Sequence, residues 1–87
     1  MNIILNRIKE IITENELFDL SFDEMIEEVK RRFKKDKLYK TMTKLYMVDS
    51  LDFFIKLGIN EFFEENKEFF ICNNKLEQEI NEYFKPY

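Results

Sequence analysis

The sequence has no histidine and only one glycine, one proline and one cysteine among its 87 residues. The missing histidines remove the commonest general base and the commonest metal ligand of proteins. With a single cysteine as well, one chain cannot assemble the usual zinc sites or close an internal disulfide. Apart from Ser50, no serine, carboxylate, lysine or tyrosine stands in a catalytic motif. We therefore expect a protein that is not an enzyme and that uses no metal and no cofactor.

Long hydrophobic runs are also missing. No apolar stretch approaches the roughly 20 residues that a membrane span requires, and the run Ile3 to Leu5 is too short for a signal peptide. No linker, repeat or low-complexity tract divides the chain. We expect one domain over residues 1–87, located in the cytoplasm, without a membrane segment.

Apolar residues are abundant for so short a chain. Hydrophobic residues make up 45% of the sequence and ten residues are phenylalanine, whereas a chain of this size buries only about 60% of its unfolded surface. Part of this apolar surface is expected to be covered by a partner. The residues assigned to that contact are Phe53, Phe62 and Phe69.

Two helices are predicted in the first half. Apolar residues recur at helical spacing over residues 2–14. Ser21 followed by Glu24 forms a capping box, and an apolar stripe follows it, so a second helix is placed at residues 21–34.

The region after the second helix is predicted to hold two more helices, at about 37–47 and 50–57, separated by a break near Met47. The apolar faces of the two halves do not align on one continuous helix. A single bent helix is nearly equivalent. A last helix is expected to follow Asn74 as its N-cap.

Gly58 follows an apolar helical pattern, which favours a C′ position where the chain leaves the helix. The aromatic runs 59–63 and 68–72 flank a polar turn at 64–67, which predicts a β-hairpin. The phenylalanines in these runs also fit a helical spacing, so the helix stays as the alternative. The predicted fold is mainly α with a small hairpin (α+β), a winged helix-turn-helix of four to five helices and a two-stranded wing.

The net charge of −4 hides a strong segregation. Residues 1–29 carry −6, residues 30–44 carry +7, and residues 45–87 carry −5. The middle block is the predicted binding surface for nucleic acid or an acidic partner. Its basic residues are Lys30, Arg31, Arg32, Lys34, Lys35, Lys37, Lys40 and Lys44.

The stretch Asp49-Ser50-Leu51-Asp52 resembles the phosphopantetheine attachment motif of acyl carrier proteins, in which Ser50 would carry the prosthetic group. An ordinary N-terminal helix cap would account for the same residues. Gly58 and the basic block upstream depart from the carrier pattern.

Residues 45–71 resemble the end of winged-helix domains with a helix of the form LDFLxxLGxI followed by a ribbon. Leu51, Asp52, Phe53, Phe54, Leu57, Gly58 and Ile59 carry this resemblance. Among such domains the stretch is similar to the small middle components of ABC-three-component systems, which accompany SMC-like ATPases in prokaryotic defence. The resemblance implies an adaptor beside a larger ATPase or nuclease.

These observations favour a small accessory or adaptor subunit that binds a larger protein, in a nucleic-acid-targeting or defence complex. A winged-helix DNA-binding regulator, which would form a homodimer, is the first alternative. A divergent acyl carrier protein is the second.

Overall fold

The computed structural model describes residues 2–45 and 51–84, and these ranges are helical with short connections. The helices are α1 (Asn2–Glu14), α2 (Phe22–Phe33), α3 (Lys37–Leu45), α4 (Leu51–Glu65) and α5 (Asn74–Tyr83), with a 3-10 turn at Lys67–Phe70 before α5. No strand occurs in either described range. The described part of the protein is therefore all-α.

The predicted β-hairpin is wrong. Residues 59–63 continue α4, and residues 67–70 form the 3-10 turn instead of a second strand. The reason is a helical apolar face that runs unbroken through Gly58. Its buried positions recur at steps of three and four residues, namely Leu51, Phe54, Ile55, Gly58, Ile59, Phe62 and Phe63. This periodicity excludes the two-residue alternation of a strand with one buried face. The α+β class with a wing is accordingly corrected to all-α.

Gly58 does not end a helix, which corrects the predicted C′ position. It lies inside α4, is buried, and does not adopt a positive φ. A Cβ atom at this position would lie 2.8 Å from Cγ2 of Ile8 in α1. The glycine is required because it lets α1 and α4 approach closely, and the left-handed backbone conformation plays no part.

Helix α4 packs against α1 and α2 and forms the centre of the fold. Its buried residues join apolar side chains of α1 and α2 in one core. The fully buried side chains include Ile8, Met25, Phe33, Ile55 and Ile59. The 3-10 turn folds back onto α4, since the ring of Phe70 lies 5.3 Å from that of Phe63, measured between centroids.

The predicted turn at 64–67 coincides with the end of α4. Asn66 donates from its backbone N–H to the carbonyl of Phe62 over 2.9 Å, and its side-chain amide donates to the same carbonyl over 3.1 Å. Its backbone, at φ −135° and ψ 48°, then leaves the helical conformation. The chain changes direction here without forming a strand pair.

The first two helices are confirmed at the predicted positions. Ser21 caps α2, with its side chain accepting from the N–H of Glu24 and the Glu24 carboxylate accepting from the N–H of Ser21. Helix α3 begins at Lys37 as predicted. The predicted break near Met47 lies outside the described residues.

The last helix is capped one residue earlier than predicted. Asn73 is the N-cap of α5, and its Oδ1 accepts from the N–H of Leu76 at 3.3 Å. Its Nδ2 donates to the carbonyls of Phe18 and Leu20 at 2.8 and 3.0 Å. One side chain thus starts α5 and fixes the segment between α1 and α2, which the exposed Asn74 does not do.

Gly58→Ala is expected to destabilise the protein by about 1–2 kcal/mol, although alanine is the better helix former by about 1 kcal/mol. The reason is the collision of the new Cβ with the branched carbon of Ile8. Urea unfolding measures the effect. Ile8→Leu moves the branch away from Cβ, so Gly58→Ala should cost less in that background. Equal costs in both backgrounds would contradict the close-approach explanation.

Asn73→Ala is expected to lower the free energy of unfolding by about 2–3 kcal/mol, because it removes the cap and leaves two carbonyls without their donor. Asn74→Ala is the matched control and should change it by less than about 0.5 kcal/mol. Thermal unfolding followed by circular dichroism compares the two. A larger loss of unfolding free energy in Asn74→Ala than in Asn73→Ala would instead support Asn74 as the N-cap, as the sequence predicts.

Candidate interaction surface

The eight basic residues of the predicted block divide into two groups. The first three are paired within the fold. Lys30 Nζ lies 2.8 Å from Oδ1 of Asp52 in α4. Arg31 lies 2.8 Å from the carboxylate of Glu28, and Arg32 donates to Oδ1 of Asn15 over 2.6 Å. Lys30 and Arg32 thus connect α2 to other parts of the fold, whereas Arg31 pairs within α2, and Arg31 and Arg32 share the carboxylate of Glu28.

The other five form what we call the lysine surface, which consists of Lys34, Lys35, Lys37, Lys40 and Lys44. All five are exposed, and within the described residues none has a carboxylate oxygen within 4 Å. Lys37, Lys40 and Lys44 recur at steps of three and four along α3, so they share one face of that helix. The lysine surface lies within residues 34–44, and its five positive charges form no ion pair within the described residues.

Asp36 fixes the start of α3 relative to α1. Its Oδ2 accepts from Nε of Arg7 over 2.7 Å, and its Oδ1 accepts from the backbone N–H of Leu38 over 3.0 Å. Burial tends to raise the pKa of the Asp36 carboxyl, but the Leu38 N–H and the Arg7 guanidinium outweigh it and hold this pKa below its ordinary value. The one acid inside the basic block is therefore paired with Arg7, and Lys37 acts on it only through its nearby charge, without a contact within 4 Å.

Apolar contacts hold α3 in place from the other side. Met42 is 1% exposed and belongs to the core. The Tyr39 ring meets the Phe33 ring edge to face, with 6.2 Å between centroids. These side chains attach α3 to the core, and its lysines lie on the exposed side.

The residues predicted to bind a partner through aromatic contact separate in the structure. Phe53 and Phe69 are 52% and 48% exposed, whereas Phe62 is 4% exposed and lies in the core. Phe62 therefore does not form part of a free surface. Phe69 stacks on Phe18 at 5.0 Å between centroids, and Ile71, which the sequence prediction missed, is 74% exposed.

The carrier motif is only partly visible. Asp49 and Ser50 lie outside the described residues, so the position of the Ser50 hydroxyl stays a prediction. Asp52 is described, and it pairs with Lys30. Its side chain thus has a structural partner that the sequence pattern did not indicate.

The described residues offer neither a metal cluster nor a membrane-spanning helix. Residues 2–45 and 51–84 contain no group of three or more histidine, cysteine, aspartate or glutamate side chains placed to hold a metal ion. In the same ranges no helix is long and apolar enough to cross a membrane.

Asp36→Asn is expected to lower the free energy of unfolding by about 1–2 kcal/mol at neutral pH, because it removes the charge that faces Arg7. The folded pKa of Asp36 is lower than its ordinary value of 3.8. This stabilisation is therefore present above about pH 4 and is lost as the pH falls through the folded pKa. Urea unfolding across this range should show wild type and variant converging in acid.

Asp19→Asn is the control for that comparison, since Asp19 is exposed and forms no ion pair within the described residues. It should leave the urea midpoint at neutral pH close to that of wild type. A constant difference between wild type and Asp36→Asn down to strong acid would contradict the assignment of the charge interaction.

Comparison with known proteins gives no relative: no protein-family model, no curated protein and no solved structure matches this chain.

Proposed function

We propose that this protein is a small non-catalytic accessory subunit that docks through its lysine surface onto an acidic surface of a larger protein. The observation that carries the proposal is the contrast between the two halves of the basic block. Lys30, Arg31 and Arg32 have carboxylates of Asp52 or Glu28 within 4 Å, whereas the next five bases are exposed and have none within 4 Å among the described residues.

The electrostatic cost of this arrangement supports a binding role. Five like charges within eleven residues repel one another in the free protein, and an acidic partner removes that repulsion. The chain has more acidic residues, 18, than basic ones, 14, so it contains enough carboxylates to pair every base within the fold. Most other bases in the described residues lie beside carboxylates, for instance Lys9 at 3.1 Å from Glu65.

A protein partner fits better than a nucleic acid because the chain as a whole is acidic, with a net charge of −4. Glu27 and Glu28 line a shallow cleft together with Lys30, Arg31, Lys34 and Lys35, so carboxylates lie beside part of the lysine surface. A phosphate backbone extending past α3 would meet these carboxylates and the net charge of −4. A protein surface can place its own basic groups opposite them.

The exposed aromatic residues are a second source of contact in this proposal. Phe53 and Phe69 together with Ile71 expose about half or more of their surfaces. Aromatic residues are enriched at the cores of protein interfaces and depleted elsewhere on protein surfaces. Their presence supports a partner that is itself a folded protein.

The double variant Lys37→Glu/Lys40→Glu tests the proposal. Tagged wild type, captured from its native cells after nuclease treatment, should retain a stoichiometric larger protein, and the variant should lose at least about nine-tenths of it, since reversed charges oppose the acidic surface. Quantitative mass spectrometry of the captured material gives the ratio.

The matched control is Lys67→Glu/Lys75→Glu, which changes the net charge by the same amount at exposed lysines outside the lysine surface. It should retain the partner. Loss of the partner in both variants would assign the effect to net charge alone. Capture of nucleic acid in place of protein, sensitive to nuclease and lost in Lys37→Glu/Lys40→Glu, would replace the proposal with nucleic-acid binding.

A further inference from the structure

A second surface of opposite character lies on the other end of α2. A groove of about 490 Å³ runs between α2 and the segment that leads into it. Leu17 and Leu20 form its apolar floor, and the rim on α2 consists of Asp23, Glu24, Glu27 and Glu28. The four acids recur at i, i+1, i+4 and i+5, which places them along one side of the helix.

The protein itself neutralises the rim only in part. Residues 10–29 contain eight acids and no base. Asp23 is exposed and forms no ion pair within the described residues. Glu27 is 3.8 Å from Lys30, but Lys30 lies closer to Asp52, at 2.8 Å, and the Glu27 side chain is 75% exposed.

The other two rim carboxylates are already engaged. The backbone N–H of Ser21 donates to Glu24 over 3.0 Å, and Arg31 donates to Glu28 over 2.8 Å. Asp23, which has no ion pair within the described residues, and Glu27, whose contact with Lys30 is long at 3.8 Å, are therefore the rim groups best placed to take an external cation. They stand one helical turn apart on α2.

We infer that this groove binds a basic amphipathic helix of a partner protein, with its apolar side chains on Leu17 and Leu20 and its lysines or arginines against Asp23 and Glu27. A helix that lays its apolar face into a groove is a recurring mode of peptide recognition. Charge complementarity selects the occupant, because an acidic or neutral helix would bring no counter-charge to this rim.

A second copy of this chain fits the groove less well. Its lysine surface has the required charge, but α3 turns Met42 into its own core and presents Lys37, Lys40 and Lys44 on an exposed face. Those lysines could meet the rim, yet that face carries no apolar side chain to cover the leucine floor. The groove adjoins the cleft of Lys34 and Lys35, since Glu27 and Glu28 line both, but the apolar floor of Leu17 and Leu20 belongs to the groove alone.

The test uses a synthetic peptide of about four helical turns, composed of leucine and lysine, with the leucines on one face. Fluorescence anisotropy should show saturable binding to the whole protein. A peptide of the same composition, shuffled so that its leucines no longer share a face, should bind at least about tenfold more weakly. Equal binding of the two peptides would overturn the inference, because charge alone would then explain the association.

The variant Asp23→Asn/Glu27→Gln should weaken binding of the ordered peptide by roughly three- to tenfold. The control Glu68→Gln/Glu77→Gln removes the same charge at exposed positions outside the groove, and should leave the affinity within about twofold. Unchanged binding by the rim variant would overturn the inference.

Two further measurements locate the site. Amide chemical shifts should move in residues 16–28 when the peptide is added, and perturbation confined to α3 or α5 would overturn the assignment. Sedimentation without peptide should give the same oligomeric state for wild type and for Asp23→Asn/Glu27→Gln. Self-association that is lost in Asp23→Asn/Glu27→Gln would make a second copy the occupant and overturn the proposed partner.

Discussion

The contact between Gly58 and Ile8 is the constraint on which the rest of the fold depends. At this point α1 and α4 approach so closely that a methyl group on Gly58 would lie 2.8 Å from the Ile8 side chain. The contact allows α4 to bury an apolar face that runs from Leu51 to Phe63 against α1 and α2. The small chain thereby obtains one connected core. Glycine inside a helix costs about 1 kcal/mol relative to alanine, and the packing that it permits offsets this cost.

The elements that the sequence predicts well are those with local signals. The capping box of Ser21 and Glu24 and the apolar stripe that follows it depend on residues within one helix, and α2 begins where they indicate. The prediction at Gly58 was wrong because two different structural requirements both select a glycine. A left-handed turn and a close approach between helices both favour the missing Cβ. Only the apolar spacing from Leu51 to Phe63, continued across the glycine, distinguishes them, and it indicates the helix.

The candidate surface was predictable only in part. The pairing of Arg31 with Glu28 follows from their spacing of three residues on a helix. The pairing of Lys30 with Asp52 and of Arg7 with Asp36 does not, because it joins residues far apart in sequence. These tertiary contacts decide which bases remain free. In the same way, burial of Phe62 and exposure of Ile71 depend on how the 3-10 turn folds back onto α4.

The order of charges along α2 has a kinetic consequence. Its first turn carries Asp23 and Glu24 and its last turn carries Lys30 to Arg32, in the sense that the helix macrodipole favours. The lysine surface continues the positive end, and the acidic groove lies at the negative end. Negative and positive charge are therefore separated along α2. A charged partner approaching this helix would be attracted at one end and repelled at the other, which favours one orientation at encounter.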